Sequence, residues 1–214
     1  MLQSRLAQQC LAYTSSMPRR FYDGLAPDLQ AGLLAQIRNI WTHTSTALEG
    51  NTLSLGETDF ILSEGLTIAG KPLKDHREVV GHARAIDLVY SFLDQDRLED
   101  QDLFKLHAAV LTDAVVDIFS PIGNWKRDSN STNAIGPDGR QVIIEFPAPG
   151  LVPRLMQIWL TRFNELRPTK ENDVLDAYAG LHLELVSIHP FFDGNGRVAR
   201  LVANLPDHGR NVAA

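Results

Sequence analysis

The sequence predicts a mostly α-helical fold that carries one β-hairpin. Apolar residues recur at steps of three and four along most of the chain, which is the spacing of amphipathic helices. One stretch, residues 120–150, breaks this spacing and is rich in proline and glycine. No repeat or linker interrupts the pattern, so we expect a single domain over residues 1–214. A chain of 214 residues, 44% of them hydrophobic, is long enough for one buried core.

The helices are expected in a simple order along the chain. Pro27 and Asp28 open the first helix, and its periodic apolar residues continue to the helix-ending pair Gly50-Asn51. A capping box of Ser54 and Glu57 opens a short second helix, which Gly65 closes. Apolar spacing predicts further helices near residues 79–93, 103–111, 153–163 and 174–188.

Residues 120–150 are predicted to contain the hairpin. Residues 137–140, Pro-Asp-Gly-Arg, are a strong turn signal, and residues 131–135 and 142–146 flank them as two short strands. The second strand contains Val142, Ile143 and Ile144, a β-branched run that suits an edge able to pair with another chain. Packing of this apolar hairpin on the core is the alternative interpretation.

Composition and charge narrow the functional classes. The net charge of −6 gives no long-range attraction to nucleic acid or to anionic membranes, so both are disfavoured as partners. Every apolar run is well short of the roughly 18 residues of a transmembrane helix. The first ten residues lack the apolar core of a signal peptide, and the single cysteine, Cys10, suits a reducing compartment. We therefore expect a cytoplasmic protein.

The most informative segment is residues 189–200, His-Pro-Phe-Phe-Asp-Gly-Asn-Gly-Arg-Val-Ala-Arg, here called the signature loop. Pro190 disfavours helical backbone at His189, so the imidazole is expected in a loop. The glycines let a ligand approach the main chain, and a helix that starts here would direct free N–H groups at an anion. Arg197 and Arg200 are three residues apart and would lie near one helix face, where both can bind phosphates.

Asp193 adds a hard oxygen ligand suited to Mg²⁺. A base, a metal ligand, an anion site and two arginines within one loop fit phosphate-transfer chemistry on a nucleotide. Neither a Walker loop nor Gly-x-Gly-x-x-Gly is present, which disfavours P-loop and Rossmann sites. The alternative interpretation is a glycine-rich connection with exposed arginines and His189 as a helix cap.

The signature loop resembles the complete motif of the Fic domain family, His-Pro-Phe-x-Asp/Glu-Gly-Asn-Gly-Arg-x-x-Arg. Residues 123–127, Gly-Asn-Trp-Lys-Arg, and the hairpin resemble the strand and target-docking flap of that family, and residues 53–93 resemble the helices before its core. The resemblance implies the Fic fold, a helical bundle with one β-hairpin flap. It also implies transfer of AMP from ATP to a Ser, Thr or Tyr hydroxyl of a target protein or of the enzyme itself.

The same resemblance implies residue roles. His189 would be the general base, and Asp193 would hold Mg²⁺ between the α- and β-phosphates of ATP. Arg197 would stabilise the leaving pyrophosphate, and Arg200 would hold the γ-phosphate. The backbone from Gly194 to Gly196, together with Asn195, would also bind the phosphates. The flap would dock the target by strand addition at Val142, Ile143 and Ile144.

Residues 45–51 resemble the family's inhibitory motif, Ser/Thr-x-x-x-Glu-Gly/Asn, in the N-terminal position of the class II type. The match rests on Ser45, Glu49 and Gly50, so the inhibitory helix would span about residues 27–50. Glu49 would pair with Arg200 where the γ-phosphate must sit, and a plain helix end with Glu49 at the surface is the alternative. The same carboxylate could position water, so a deAMPylase or a bifunctional enzyme stays open.

The tail departs from the family pattern. The family continues a long helix after Arg200, whereas residues 206–210, Pro-Asp-His-Gly-Arg, are expected to end it here. We therefore expect residues 206–214 to be atypical and truncated, which leaves an inactive nucleotide-binding remnant as a further alternative. Transfer of phosphate or of another nucleotide also stays open, as does a homodimer.

Overall fold

The computed structural model describes residues 22, 24–93, 95–112, 121–166 and 171–205. The expectations for Cys10 and for residues 206–214 lie outside the described residues. The helices are α1 (Pro27–Ala47), α2 (Leu55–Glu64), α3 (Leu73–Phe92), α4 (Asp100–Val110), α5 (Val152–Glu165), α6 (Glu171–Ile188) and α7 (Asn195–Ala203). Two strands, β1 (Ser131–Ile135) and β2 (Gln141–Glu145), form an antiparallel hairpin. The mostly helical fold with one hairpin is confirmed.

Local sequence signals determine where the helices begin and end. Pro27 occupies the first turn of α1, and Gly50 turns the chain shortly after the helix with a φ of 91°. The predicted capping box is confirmed: Glu57 N–H donates to Ser54 Oγ at 3.2 Å, and Ser54 N–H donates to the Glu57 carboxylate at 2.7 Å. Gly65 ends α2 in the left-handed conformation with a φ of 68°.

The core lies between α3, α4, α5, α6 and α7. Trp159 on α5 is 1% exposed, and its indole N–H donates to the Leu181 carbonyl at 3.1 Å. Trp41 and Trp125 are half-buried and pack against this cluster. The inner face of α7 is fully buried, with Val198 and Leu201 at 0% exposure. The signature loop therefore begins a helix that is fixed to the core by apolar contacts.

The buried face of α1 differs from its apolar pattern. Apolar spacing predicted the helix, but the side chains that it buries are polar, namely Asn39, Thr42, Ser45 and Thr46. Leu29 and Leu48, which mark the apolar spacing, are 61% and 73% exposed. Two of these side chains bond to other helices: Asn39 Nδ2–H donates to Asp59 Oδ1 of α2 at 2.6 Å, and Ser45 Oγ accepts from Arg200 of α7. Thr46 Oγ1 bonds within α1, and Thr42 Oγ1 has no partner among the described residues.

The hairpin begins and ends close to its predicted positions. Its register runs from Ser131 opposite Glu145 to Ile135 opposite Gln141, so β2 lies one residue earlier than predicted. Every residue of β2 is exposed, so the interpretation that the hairpin packs on the core is wrong. None of the described helices is long and apolar enough to cross a membrane.

Candidate active site

The signature loop starts with an unusual backbone conformation at His189. Helix α6 ends at Ile188, and His189 has a φ of 51°, in the left-handed region that non-glycine residues rarely adopt. Pro190 follows and cannot continue a helix. The imidazole therefore projects from a loop, as the sequence predicted. Backbone conformations of this kind concentrate at functional sites.

The ring of His189 is held in one orientation, and its neutral form in one tautomer. It stacks on Phe146, which directly follows β2, with ring centroids 3.7 Å apart and planes 12° apart. Nδ1 lies 3.2 Å from the Val186 carbonyl and donates to it, which leaves Nε2 with the lone pair. Burial lowers the pKa of His189, and the Lys126 ammonium lowers it further against the opposing effect of the Val186 carbonyl and two carboxylates. The ring can therefore accept a proton at Nε2 near pH 7.

The start of α7 lies in the signature loop. Gly194 caps the helix with a φ of 76°, and the first N–H groups of a helix lack partners within it, which is why anions bind at such ends in other proteins. The side chain of Asn195 is turned inward: Phe191 N–H donates to its Oδ1 and its Nδ2–H donates to the Phe191 carbonyl, both at 2.9 Å. The Asn195 side chain therefore braces the loop, and both of its polar atoms are bonded within it.

Arg197 is buried beside two carboxylates without hydrogen bonds to them. Its Nη1 lies 3.6 Å from Glu78 Oε1, and its Nη2 lies 3.7 Å from Asp193 Oδ2, with 5% of the arginine side chain exposed. Nε and Nη1 have no hydrogen-bond partner among the described residues. A buried donor without a partner costs about 1–3 kcal/mol. An anion that reached this guanidinium would supply the missing acceptors.

Arg200 is held by the end of α1. Its Nη2 donates to Glu49 Oε1 at 2.7 Å and to the Ser45 carbonyl at 2.9 Å, and its Nε donates to Ser45 Oγ at 2.9 Å. The carboxylate also lies against the loop backbone, because a Cβ on Gly196 would be 2.5 Å from Glu49 Oε1. The structure therefore brings together Ser45, Glu49 and Arg200 as predicted, with Glu49 in the turn after α1 and above the first turn of α7.

Asp193 could hold a metal ion only together with other ligands. Its side chain is 72% exposed, and Gly194 N–H donates to Oδ1 at 2.6 Å. The described residues contain no group of three or more His, Cys, Asp or Glu side chains that could bind a metal by themselves. A single carboxylate fits Mg²⁺ in the manner of nucleotide sites, where phosphates and water complete the coordination.

His107 supports the loop and was not singled out from the sequence. It is 1% exposed on α4, and its ring stacks on Phe191 with centroids 3.9 Å apart. Gly123 N–H donates to Nδ1 at 2.9 Å, and Nε2–H donates to the Asp193 carbonyl at 3.1 Å. Burial lowers the pKa of His107 to about 4, so the ring stays neutral. His107 thereby joins the loop to the segment that leads into the hairpin.

His82 and Lys126 are two further buried groups near the site. Neither ring nitrogen of His82 on α3 has a hydrogen-bond partner among the described residues, and burial together with Arg197 and Arg200 lowers its pKa to about 3. His82 therefore adds no positive charge beneath the arginines.

Lys126 is 2% exposed. It donates from Nζ to Asn130 Oδ1 at 2.7 Å and from its backbone N–H to the Pro190 carbonyl at 2.9 Å.

Strand β2 of the hairpin carries three exposed apolar residues, and Phe146 after it contacts His189. Val142, Ile143 and Ile144 are 41%, 70% and 46% exposed. Phe146 joins this hairpin to the imidazole through the ring stacking described above. An exposed strand of this kind can pair with an added strand through its main chain.

Comparison with known proteins places these features in a family context. Residues 97–206 match the model of the Fic/DOC family. The chain is 32% identical to protein adenylyltransferase fic-1 of Caenorhabditis briggsae over 171 residues, which are 78% of this chain and 31% of that protein. It is 34% identical to protein adenylyltransferase Fic of Drosophila yakuba over 166 residues, 75% of this chain and 30% of that protein. The chain thus spans about a third of the length of the curated relatives it matches.

Solved structures share the fold. A Fic domain containing signaling protein from Bacteroides thetaiotaomicron superposes with a TM-score of 0.72 at 27% identity, over 87% of this chain and 68% of that one. Fic-1 from Caenorhabditis elegans gives a TM-score of 0.66 at 27% identity, over 97% of this chain and 58% of that one. The helical bundle with a hairpin that the sequence predicted is therefore the Fic fold.

Proposed function

The chain belongs to the Fic/DOC family, and we propose that it is a protein adenylyltransferase, which transfers AMP from ATP to a Ser, Thr or Tyr hydroxyl of a target protein or of itself. Relatives that are 32% and 34% identical carry the name protein adenylyltransferase. The observation that carries the proposal is the convergence of a neutral imidazole, the start of α7 and two arginines on the signature loop.

The chemical step needs one base, which would be His189. The hydroxyl oxygen of the target attacks the α-phosphorus of ATP, a new P–O bond forms, and the bond from this phosphorus to the β-phosphate breaks. The hydroxyl proton passes to Nε2 of His189, and pyrophosphate leaves. The donated hydrogen bond from Nδ1 to the Val186 carbonyl supports this assignment, because it keeps Nε2 unprotonated. General-base catalysis of this kind contributes roughly 10²–10⁴-fold.

The phosphates would bind the loop backbone at residues 194–196 and the two arginines. Arg197 would stabilise the leaving pyrophosphate, and its unpartnered Nε and Nη1 support this role because phosphate oxygens are the acceptors that they lack. Arg200 would hold the γ-phosphate. Asp193 would hold Mg²⁺, which when bound offsets the negative charge of the phosphates. In phosphoryl transfer, such positioning and charge stabilisation supply most of the catalysis.

Glu49 would act as the brake of a class II type inhibitory helix, formed by α1 and the following turn, about residues 27–50. Its carboxylate accepts the hydrogen bond from Arg200 Nη2, which would otherwise be available to the γ-phosphate. The two anions cannot share one guanidinium edge, so ATP binds poorly while Glu49 stays in place. The flap, through Val142, Ile143 and Ile144, would add a strand to the target and bring its hydroxyl to His189.

Hydrolytic removal of AMP from a modified hydroxyl is the second candidate function. The observation that favours it is the place of the Glu49 carboxylate, which lies against Gly196 of the loop while 38% of its side chain is exposed. Water therefore reaches a carboxylate inside the site. Release of AMP from a modified target by wild type, but not by Glu49→Ala, would support this activity.

The deciding experiment incubates wild type, Glu49→Gly and His189→Ala with α-labelled ATP, Mg²⁺ and cell lysate. We expect Glu49→Gly to label more protein than wild type and His189→Ala to label none, with labelled proteins identified by mass spectrometry. Glu64→Gly is the matched control, because it removes an exposed carboxylate at the end of α2. Equal labelling by wild type and Glu49→Gly would exclude the brake, and undiminished labelling by His189→Ala would exclude the base.

A further inference from the structure

We propose that Glu78 is a positioning residue that couples the Glu49 segment, residues 49–51 after α1, to Arg197. This segment would then restrain both of the arginines that bind phosphates. The inference rests on the proposed function and concerns the regulation of the same site. Glu49 contacts Arg200 directly. The link to Arg197 is indirect and runs through Asn51 and Glu78.

Glu78 lies between the two parts that it would connect. It is on α3 with 12% of its side chain exposed. Its Oε1 lies 3.6 Å from Arg197 Nη1, and Asn51 Nδ2–H donates to its Oε2 at 3.1 Å. Lys74 also approaches Oε1, at 3.5 Å, but 78% of the lysine side chain is exposed and its charge is screened by water. Besides Lys74, this carboxylate is therefore contacted by the buried Arg197 on one oxygen and by the half-buried Asn51 on the other.

Asn51 is in the Glu49 segment and contacts both α1 and α3. It follows Glu49 by two residues, and its backbone N–H donates to the Thr46 carbonyl of α1 at 3.2 Å. Its Nδ2–H also donates to the Asp75 carbonyl of α3 at 3.0 Å. The next residue, Thr52, donates from both its N–H and its hydroxyl to Asp75 Oδ2, at 2.8 and 2.6 Å. The Thr46 contact is the one that would transmit a displacement of Glu49 to Asn51 and so loosen its bond to Glu78, against the hydrogen bonds that hold residues 51 and 52 on Asp75.

The contact between Glu78 and Arg197 is electrostatic. Nη1 lacks a hydrogen-bond partner among the described residues, so Glu78 offsets the charge of Arg197 without satisfying its donors. A phosphate competes with this carboxylate for the guanidinium. While Asn51 holds Oε2, Oε1 stays directed at Arg197; once Asn51 leaves, the carboxylate can rotate away. Release of Glu49 would thus raise the affinity of both arginines for ATP.

The experiment measures binding of ATP with Mg²⁺ by calorimetry to wild type, Glu78→Gln, Asn51→Ala, Glu49→Gly and the double variants. Glutamine keeps the acceptor for Asn51 and removes the charge, so we expect Kd to fall about three- to fivefold, the magnitude of a weakly screened charge contact. We expect KM for ATP to fall equally with kcat unchanged, because Glu78 does not touch the reacting atoms. Asn51→Ala should tighten binding in the same direction.

The double variants test the coupling itself. Glu78→Gln should have a clearly smaller effect on Kd in the Glu49→Gly or Asn51→Ala background, since Glu78 is already released there. Equal fold-changes in all backgrounds, or weaker ATP binding by Glu78→Gln, would overturn the proposal. Lys74→Gln is the control, because it changes an exposed charge beside the same carboxylate and should leave Kd unchanged.

Two measurements separate this inference from the proposed function. Melting curves establish that each variant is folded; if Glu78→Gln does not fold, Asn51→Ala alone and with Glu49→Gly decides the coupling. The ATP titrations do not require transfer, so the predicted changes in Kd without any labelled protein would support the coupling and contradict AMP transfer. Absence of ATP binding even by Glu49→Gly would overturn both.

Discussion

Replacing Glu49 by alanine tests how strongly one carboxylate restrains Arg200. The contact joins Glu49 Oε1 and Arg200 Nη2 at 2.7 Å, with 38% and 16% of the two side chains exposed. A hydrogen bond to a charged group contributes about 1.5–3 kcal/mol, and solvent reduces this when a third of one partner is exposed. A loss of about 1–2 kcal/mol remains, which corresponds to a kcat/KM for ATP about 5- to 30-fold higher in Glu49→Ala.

Ionic strength distinguishes charge competition from a merely steric brake. Salt screens the exposed side of the Glu49–Arg200 pair. Raising the salt concentration from about 0.05 to about 0.5 M should therefore lower the ratio of kcat/KM for Glu49→Ala to kcat/KM for wild type. The assay measures initial rates of transfer from α-labelled ATP to one purified target at subsaturating ATP. A ratio near one at low salt would refute the restraint, and a large ratio that salt does not change would refute its electrostatic origin.

Three further predictions concern pH, stability and target docking. Because burial lowers the pKa of His189, its neutral form persists below pH 6.5, and the acid limb of kcat/KM for Glu49→Gly should lie below that value. The pKa of His107 is lowered to about 4, so between pH 6.5 and 4 His107 binds a proton in the unfolded chain but not in the folded one. Its contribution to stability is therefore complete above pH 6.5. The free energy of unfolding in urea should fall by about 3 kcal/mol as the pH is lowered to 4. Ile143→Asp on the exposed strand β2 should reduce target labelling about tenfold and leave the Kd for ATP unchanged. An equal loss of target labelling and of ATP affinity would contradict flap docking.

The parts of the fold that sequence predicted well depend on neighbouring residues. The capping box of Ser54 and Glu57 involves residues three apart, and the end of α6 follows from Pro190 beside His189. The signature loop is contiguous in sequence, so its histidine, glycines and arginines could be proposed together as one site. The pairing of Glu49 with Arg200 spans 151 positions, and only the resemblance to a family motif predicted it.

The parts that sequence did not predict depend on distant contacts between buried polar groups. His107 reaches the Asp193 carbonyl across 86 positions, and no spacing in the sequence marks either group as a partner of the other. The buried polar face of α1 was not predicted either, because the spacing of its apolar residues indicated that the apolar face would be the buried one. Asn39 and Ser45 face inward where α2 and α7 supply their hydrogen-bond partners, and those partners are not adjacent in the sequence.

This polar face would let α1, the proposed inhibitory helix, move while the arginines stay in place. The end of α1 meets α7 through hydrogen bonds between Ser45, Glu49 and Arg200, which phosphate oxygens and water can replace. The opposite face of α7 is apolar, with Val198 and Leu201 fully buried, and exposing it to water would cost about 1.5–3 kcal/mol for each side chain. The two faces of α7 therefore differ in how easily they separate, and an exchange of Glu49 for a nucleotide would leave the helix that carries both arginines fixed to the core.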